Sequence, residues 1–216
     1  TMRAAQRLYQ GDAMAGSETG GLITYMRTDS THLAPEAIAA AREMLESAYG
    51  VEYRPESARI YETDRSDAQE AHEAIRPTDV SRTPASLKGK LGEDPWRLYD
   101  LIWKRFVACQ MSDAKWESTT VLLERDDQPT GAVLKATGRV QVFDGFQRVA
   151  GVPESIEPLL PAMSVGDLLA PFDISPLQKF SKPPARFNEA SLIKQLEQEG
   201  IGRPSTYAQI LKTVQD

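Results

Sequence analysis

The apolar residues change their period along the chain, and that change limits the folds open to it. After Asp94-Pro95, Trp96, Tyr99, Trp103 and Phe106 recur every three to four positions, and Leu98, Leu101 and Ile102 widen the stripe. That spacing places them on one side of a helix, and the stripe reads as core rather than as a cofactor or base-stacking surface. From about Glu117 the period becomes two. Thr119, Val121 and Leu123 alternate with Thr120 and Leu122, and the runs Val133–Thr137 and Val140–Phe143 follow, with Asp144-Gly145 as a turn signal. A pattern of one period does not settle into the other structure, so the first part is helical and the middle is strand. A composition shift at Ser181-Lys182-Pro183-Pro184 reads as a linker into a last helical unit. The fold class expected is therefore α+β and multidomain.

The remaining signals fill in this frame. Residues 1–10 are rich in helix formers and lack a starting methionine, which reads as a helix entered midway in a piece of a longer protein. Residues 11–20 read as a loop, and Leu22 to Met26 as a short extended or turn-like segment. Pro35 suits a first helical position and Glu36 complements the dipole. Ile38, Ala41, Leu45 and Ala48 fall on one face, and Gly50 fits just past the end. His32 beside this start reads as a surface or capping residue. Asp67-Ala68-Gln69-Glu70 has the form of a capping box for a short helix that Pro77 must end. Residues 151–162 read as a loop, and Gly166 to Ile174 as one further strand. Asn188 caps a helix over 189–199 with Leu192, Ile193 and Leu196 on one face. After the turn Gly200-Ile201-Gly202-Arg203, Pro204 opens a second helix. Two helices about such a turn have a helix-turn-helix shape, which alone says little about reading DNA.

Composition narrows the function classes. The chain is 216 residues long, 41% hydrophobic and 26% charged, with a net charge of −6. That balance argues against wrapping DNA by bulk positive charge, but not against gripping a few phosphates with placed arginines. The single cysteine, Cys109, excludes an internal disulfide and sits in an apolar helical pattern as a structural thiol. Two histidines and one cysteine give no zinc spacing, no glycine-rich nucleotide loop occurs, and no apolar run reaches the length of a membrane span.

The chemistry-bearing stretch is Gly21-Leu22-Ile23-Thr24-Tyr25-Met26-Arg27-Thr28-Asp29-Ser30. A phenol has an ordinary pKa of about 10, so only roughly one in a thousand is ionised at pH 7. A nearby guanidinium favours the phenolate and can hold a phosphate oxygen. Tyr25 and Arg27 thus have the residue types for attack on a phosphodiester. Read from spacing alone, a half-buried strand tyrosine and a solvated arginine remain the commoner explanation. His72 and Arg76, four apart, could share a helix face as a phosphate clamp or could be two solvated side chains.

Three separated stretches carry a family resemblance. The decapeptide at 21–30 resembles the active-site segment of type IA DNA topoisomerases. Ala71-His72-Glu73-Ala74-Ile75-Arg76-Pro77-Thr78 resembles that family's second signature. Pro183-Pro184-Ala185-Arg186-Phe187, followed by Gly200-Ile201-Gly202-Arg203-Pro204-Ser205-Thr206-Tyr207, resembles its third. Phe106-Val107-Ala108-Cys109-Gln110-Met111 is similar to the bacterial topoisomerase I branch, which ranks topoisomerase III and reverse gyrase lower.

The resemblance implies a mostly helical tyrosine-bearing domain over 21–112, preceded by the end of a first arch half and a loop at 1–20. It also implies an antiparallel β arch segment over 113–180 and the start of a helical single-strand-DNA-binding domain over 181–216. It implies relaxation of negatively supercoiled DNA, without ATP, by transient single-strand cleavage, strand passage and religation. In that scheme Tyr25 is the nucleophile and forms a 5′-phosphotyrosyl bond, and Arg27 is the charge-stabilising catalytic partner. His72, Arg76, Arg186, Arg203, Ser205 and Thr206 are the DNA-binding residues. Magnesium in the full-length enzyme is expected on a Toprim domain that this chain lacks, with no metal or other cofactor held by these residues. The partners implied are single-stranded or underwound DNA and the remaining domains of the same polypeptide, in a cytoplasmic, nucleoid-associated monomer without membrane contact. The chain alone is expected to be inactive. The rival from another class is a non-catalytic helix-turn-helix nucleic-acid-binding module in which Tyr25 is incidental.

Overall fold

The structure is a computed structural model, and it describes residues 1–11, 21–28, 30–61, 73–124, 133–152, 159–170, 173 and 175–215. These fall into two compact units, 1–160 and 161–216.

In the first unit the helical pattern holds where apolar spacing is strongest. Helix α1 (Met2–Gln10) buries Ala5 and Leu8. Helix α2 (Pro35–Tyr49) has Pro35 in its first turn and Glu36 beside it, and ends at Gly50. It buries Ala41 and Leu45, whereas Ala48 is exposed, so the apolar face is a turn shorter than its sequence suggests. A 3-10 turn at Val51–Tyr53 follows. A single-turn helix α3 (Pro84–Leu87) is capped by Thr83, whose hydroxyl accepts from the Ser86 amide.

Helix α4 (Glu93–Cys109) is the centre of the core. It begins one residue before the expected Asp94, with Gly92 as its cap and two carboxylates in the first turn. Tyr99, Trp103, Phe106 and Val107 are buried. The polar ends of the large rings are all satisfied. Tyr99 donates to the Arg82 carbonyl at 2.6 Å, Trp103 to the Val80 carbonyl at 2.8 Å, and Trp96 to the Pro84 carbonyl at 2.8 Å. These three bonds tie residues 80–84 onto the helix. Leu101 departs from the expected stripe and is exposed. Two residues along a helix turn the side chain by about 200°, so Leu101 cannot face the same way as Tyr99 and Trp103.

Strands β1 (Lys115–Leu123) and β2 (Leu134–Phe143) pair antiparallel, with Thr120 opposite Thr137 and Leu123 opposite Leu134. β2 is one strand, not two separate runs: Gly138 continues the ladder opposite Thr119. Most ribbon side chains are exposed or half-buried. Trp116 gains cover from the Arg139 guanidinium, 4.6 Å from its ring.

The ribbon is rooted firmly. Asp144-Gly145 turns the chain into α5 (Gln147–Ala150). Gly145 has φ +50°, and a Cβ there would stand 2.5 Å from the carbonyl oxygens of Ser112 and Asp113. Only glycine lets the two ends of the ribbon approach this closely. Tyr53 donates to Asp144 Oδ1 at 2.7 Å and accepts from Arg148 at 2.7 Å, while Arg148 Nε lies 2.6 Å from Asp144 Oδ2. The Tyr53 ring packs 4.9 Å from that of Phe143.

In the second unit the strand expected at 166–174 does not form among the described residues, and Leu168 and Leu169 are exposed. A strand needs a ladder partner, and none runs beside it among those residues. Helix α6 (Glu189–Gln198) starts as expected, with Asn188 and Ser191 exchanging capping-box bonds. Leu192, Ile193 and Leu196 are half-buried. Helix α7 (Tyr207–Gln215) begins three residues after the expected Pro204. The Arg203 amide donates to Thr206 Oγ1 at 2.8 Å, and the Thr206 amide to the Arg203 carbonyl at 2.8 Å, closing a turn first.

Candidate functional site

Residues 21–28 pack against the end of helix α1 and cross a second segment, 73–78. The Leu22 amide donates to the Leu8 carbonyl at 2.7 Å. Ile23 pairs with Pro77 in an isolated antiparallel bridge. The Thr24 amide donates to the Arg76 carbonyl at 2.9 Å, and the Thr78 amide to the Leu22 carbonyl at 3.0 Å. Leu22, Ile23 and Met26 are buried, while Tyr25 and Arg27 point outward. Leu22 and Ile23 are buried together, and only from Tyr25 to Arg27 does burial alternate, with buried Met26 between two exposed side chains.

Tyr25 is 44% exposed, and its ring meets Tyr9 edge-on with centroids 5.3 Å apart. It is neither a core residue nor a freely swinging one. Arg27 is also exposed. Beyond it the Ser30 amide donates to Thr28 Oγ1 at 3.0 Å and the His32 amide to Ser30 Oγ at 3.2 Å, so the chain tightens before α2. His32 is a surface residue, as expected.

Gly21 makes this geometry possible. A Cβ there would lie 1.8 Å from the Tyr9 carbonyl oxygen. No rotamer relieves a clash with backbone, so Gly21→Ala must push the segment off the end of α1. It is expected to lower stability by about 1–3 kcal/mol in thermal or urea unfolding. An unchanged transition midpoint would contradict this packing.

Arg76 does not look like the open clamp its spacing suggested. Its Nε and Nη2 donate to Glu73 Oε1 and Oε2 at 2.5 and 3.0 Å, its Nη1 donates to the Pro77 carbonyl at 2.9 Å, and the side chain is 15% exposed. Residues 73–76 are not helical, so the expected four-residue spacing on a helix face does not arise there. His72 and the capping pattern at 67–70 lie outside the described residues. Burial raises the Glu73 carboxyl pKa, but hydrogen bonds from Arg76 and the Ala34 amide outweigh it and hold the carboxyl below its ordinary range. Sequence reading passed over Glu73. Its signal was a carboxylate three residues before an arginine within a long polar motif.

The other expected residues belong to the second unit. Arg186 is exposed in the irregular stretch before α6. Arg203, Ser205 and Thr206 share the turn before α7 and are exposed, although Thr206 Oγ1 is engaged by the Arg203 amide. Among the described residues no group of three or more His, Cys, Asp or Glu is placed to hold a metal ion.

The family model described as DNA topoisomerase matches residues 1–216. DNA topoisomerase 1 of Pseudomonas aeruginosa is 47% identical over 220 residues, which is all of this chain and 23% of that protein. DNA topoisomerase 1 of Rickettsia felis is 47% identical over 221 residues, again all of this chain and 28% of that protein. The structure of full-length topoisomerase I from Thermotoga maritima superposes with a TM-score of 0.74 at 33% identity, covering 99% of this chain and 33% of that one. The chain therefore spans about a quarter of the curated relatives it matches.

Proposed function

The chain belongs to the bacterial type IA DNA topoisomerases, and we propose that it carries the nucleophile and part of the single-strand grip of such an enzyme. The observation that carries this reading is the outward Tyr25 phenol, with Arg27 beside it on a segment whose apolar residues are buried. Tyr25 loses its proton and attacks a backbone phosphorus of one DNA strand. The Oη–P bond forms, the bond to the 3′ oxygen breaks, and that oxygen takes up a proton. The strand keeps its 5′ phosphate on the enzyme. An aryl ester has a better leaving group than an alkyl one, so the 3′ hydroxyl can attack back after strand passage without ATP. Arg27 stabilises the charge that builds on the non-bridging oxygens.

His72, Arg186, Arg203, Ser205 and Thr206 contact the strand backbone in this proposal. The anatomy at 1–20, 21–112, 113–180 and 181–216 belongs to the same proposal. The described residues offer no cluster that fits magnesium, and the proposal places its site elsewhere in the full-length polypeptide. Residues 1–216 span about a quarter of the length of their curated relatives, and by themselves they are expected to be inactive in relaxation. The substrate is negatively supercoiled, locally single-stranded DNA in the bacterial nucleoid, handled by a monomer.

Trapping tests the reading directly. A single-stranded oligonucleotide is cleaved by the full-length polypeptide, the reaction is stopped with denaturant, and the protein is digested and mapped by mass spectrometry. The expected mass is that of a 5′-phosphonucleotide on the peptide containing Tyr25. A nucleotide on another residue rejects Tyr25. Binding of DNA with no adduct at all favours the helix-turn-helix module instead.

A further inference from the structure

Residues just before Tyr25 and just after Thr31 meet one and the same segment. On the entry side, Leu22, Ile23 and Thr24 pair with residues 76–78, and Thr78 Oγ1 adds a bond to the Gly21 carbonyl at 2.8 Å. On the exit side, the Ala74 amide donates to the His32 carbonyl at 2.8 Å, and the Ala34 amide donates to Glu73 Oε1 at 2.9 Å. Tyr25 and Arg27 therefore ride on a short loop with both feet on residues 73–78. Side chains lock the two feet together. Thr24 Oγ1 donates to the Ala74 carbonyl at 2.7 Å and accepts from the Arg76 amide at 3.0 Å. The Glu73 carboxylate holds the Arg76 guanidinium in a bidentate pair while it accepts from the start of α2.

We infer that Glu73 and Arg76, with the Thr24 hydroxyl, form a positioning brace for the nucleophile loop, and that Arg76 acts through this brace rather than on a DNA phosphate. Three of its guanidinium donors are already bonded within the protein. Turning the group toward a phosphate would strand a half-buried carboxylate and break the tie to α2. The bidentate fork is a task for arginine, since a lysine ammonium cannot span both carboxylate oxygens in one plane. A nucleophile must stand within a fraction of an ångström of its line of attack, so slack in the brace appears in the chemical step and not in strand affinity.

The inference rests on Tyr25 being the nucleophile, and the two can fail separately. In the full-length polypeptide, Glu73→Gln and Arg76→Lys are each expected to slow formation of the covalent adduct on an oligonucleotide by up to about a hundredfold. The dissociation constant for the same oligonucleotide is expected to stay at the wild-type value. Thr24→Val is expected to slow the adduct and Thr24→Ser to restore it, which keeps the test open should Glu73→Gln fail to fold. A phosphate-binding Arg76 gives the opposite signs. Glu73→Gln would then release the guanidinium and tighten DNA binding, and Arg76→Ala would reduce the salt dependence of binding by about one phosphate contact. Either of those results, or a wild-type adduct rate in Glu73→Gln, Arg76→Lys and Thr24→Val alike, overturns the brace. An adduct that survives Tyr25→Phe rejects the nucleophile itself.

Discussion

Tyr25→Phe in the full-length polypeptide is expected to form no covalent protein–DNA adduct and to relax no supercoiled DNA, with little change in its affinity for a single strand. The substitution removes a single oxygen, the one that the proposed chemistry uses. The ring stays, and with it the edge contact to Tyr9 at 5.3 Å. The neighbouring backbone is held by Ile23, Thr24 and their partners at 76–78, none of which uses the phenol. Tyr25 is 44% exposed, so loss of the hydroxyl leaves no buried polar group unpaired. A fold that is intact by melting, a strand that is still bound, and an adduct that is absent together isolate the nucleophile. Residual cleavage at even a hundredth of the wild-type rate would mean that another group attacks.

The second large effect concerns the body that carries the loop. Trp103→Ala is expected to cost about 3–5 kcal/mol, the range for removing a large aromatic side chain from a packed core. Trp103 is 5% exposed, and its indole N–H is bonded to the Val80 carbonyl at 2.8 Å. The truncation leaves a cavity and an unpaired carbonyl in the same place. Leu101→Ala, two residues earlier on the same helix, is expected to change stability by less than about 0.5 kcal/mol, because Leu101 is 64% exposed. Urea unfolding of the two variants measures the orientation of α4. Equal losses would mean that the helix is rotated from the position described.

Much of this architecture is legible in the residues. The long stripe on α4 survives because its aromatic residues leave no other way to exclude water, and Asn188 and Pro35 mark helix starts that hydrogen bonding and a fixed φ impose locally. What escapes is whatever depends on partners distant in sequence. Leu101 counts as apolar in any window, but its direction is set by the turn of the helix. Gly138 suggests a break, yet β1 supplies a continuous ladder across it. The run at 166–174 has strand composition and no neighbour among the described residues. Arg76 is the instructive case at the candidate site. Its charge and its sequence spacing from His72 suggest a phosphate clamp, and its pairing with Glu73, made by a non-helical path through 73–76, is what no periodicity reveals. The outward placement of Tyr25 follows from the buried Ile23 and Met26 around it, which a short apolar pattern only hints at.

The rooted ribbon also has a mechanical meaning. Strands of nine and ten residues extend about 30 Å at the rise of a β-strand. A tilt of about 10° at the Tyr53–Asp144–Arg148 tie would swing the far end through about 5 Å, roughly the spacing between neighbouring strands. The ribbon would then be a lever with its fulcrum at Gly145, where the chain passes so close to Ser112 and Asp113 that a Cβ would clash. Force applied at the tip would be multiplied at the fulcrum, and Tyr53, bonded there, would carry it to the turn that follows α2.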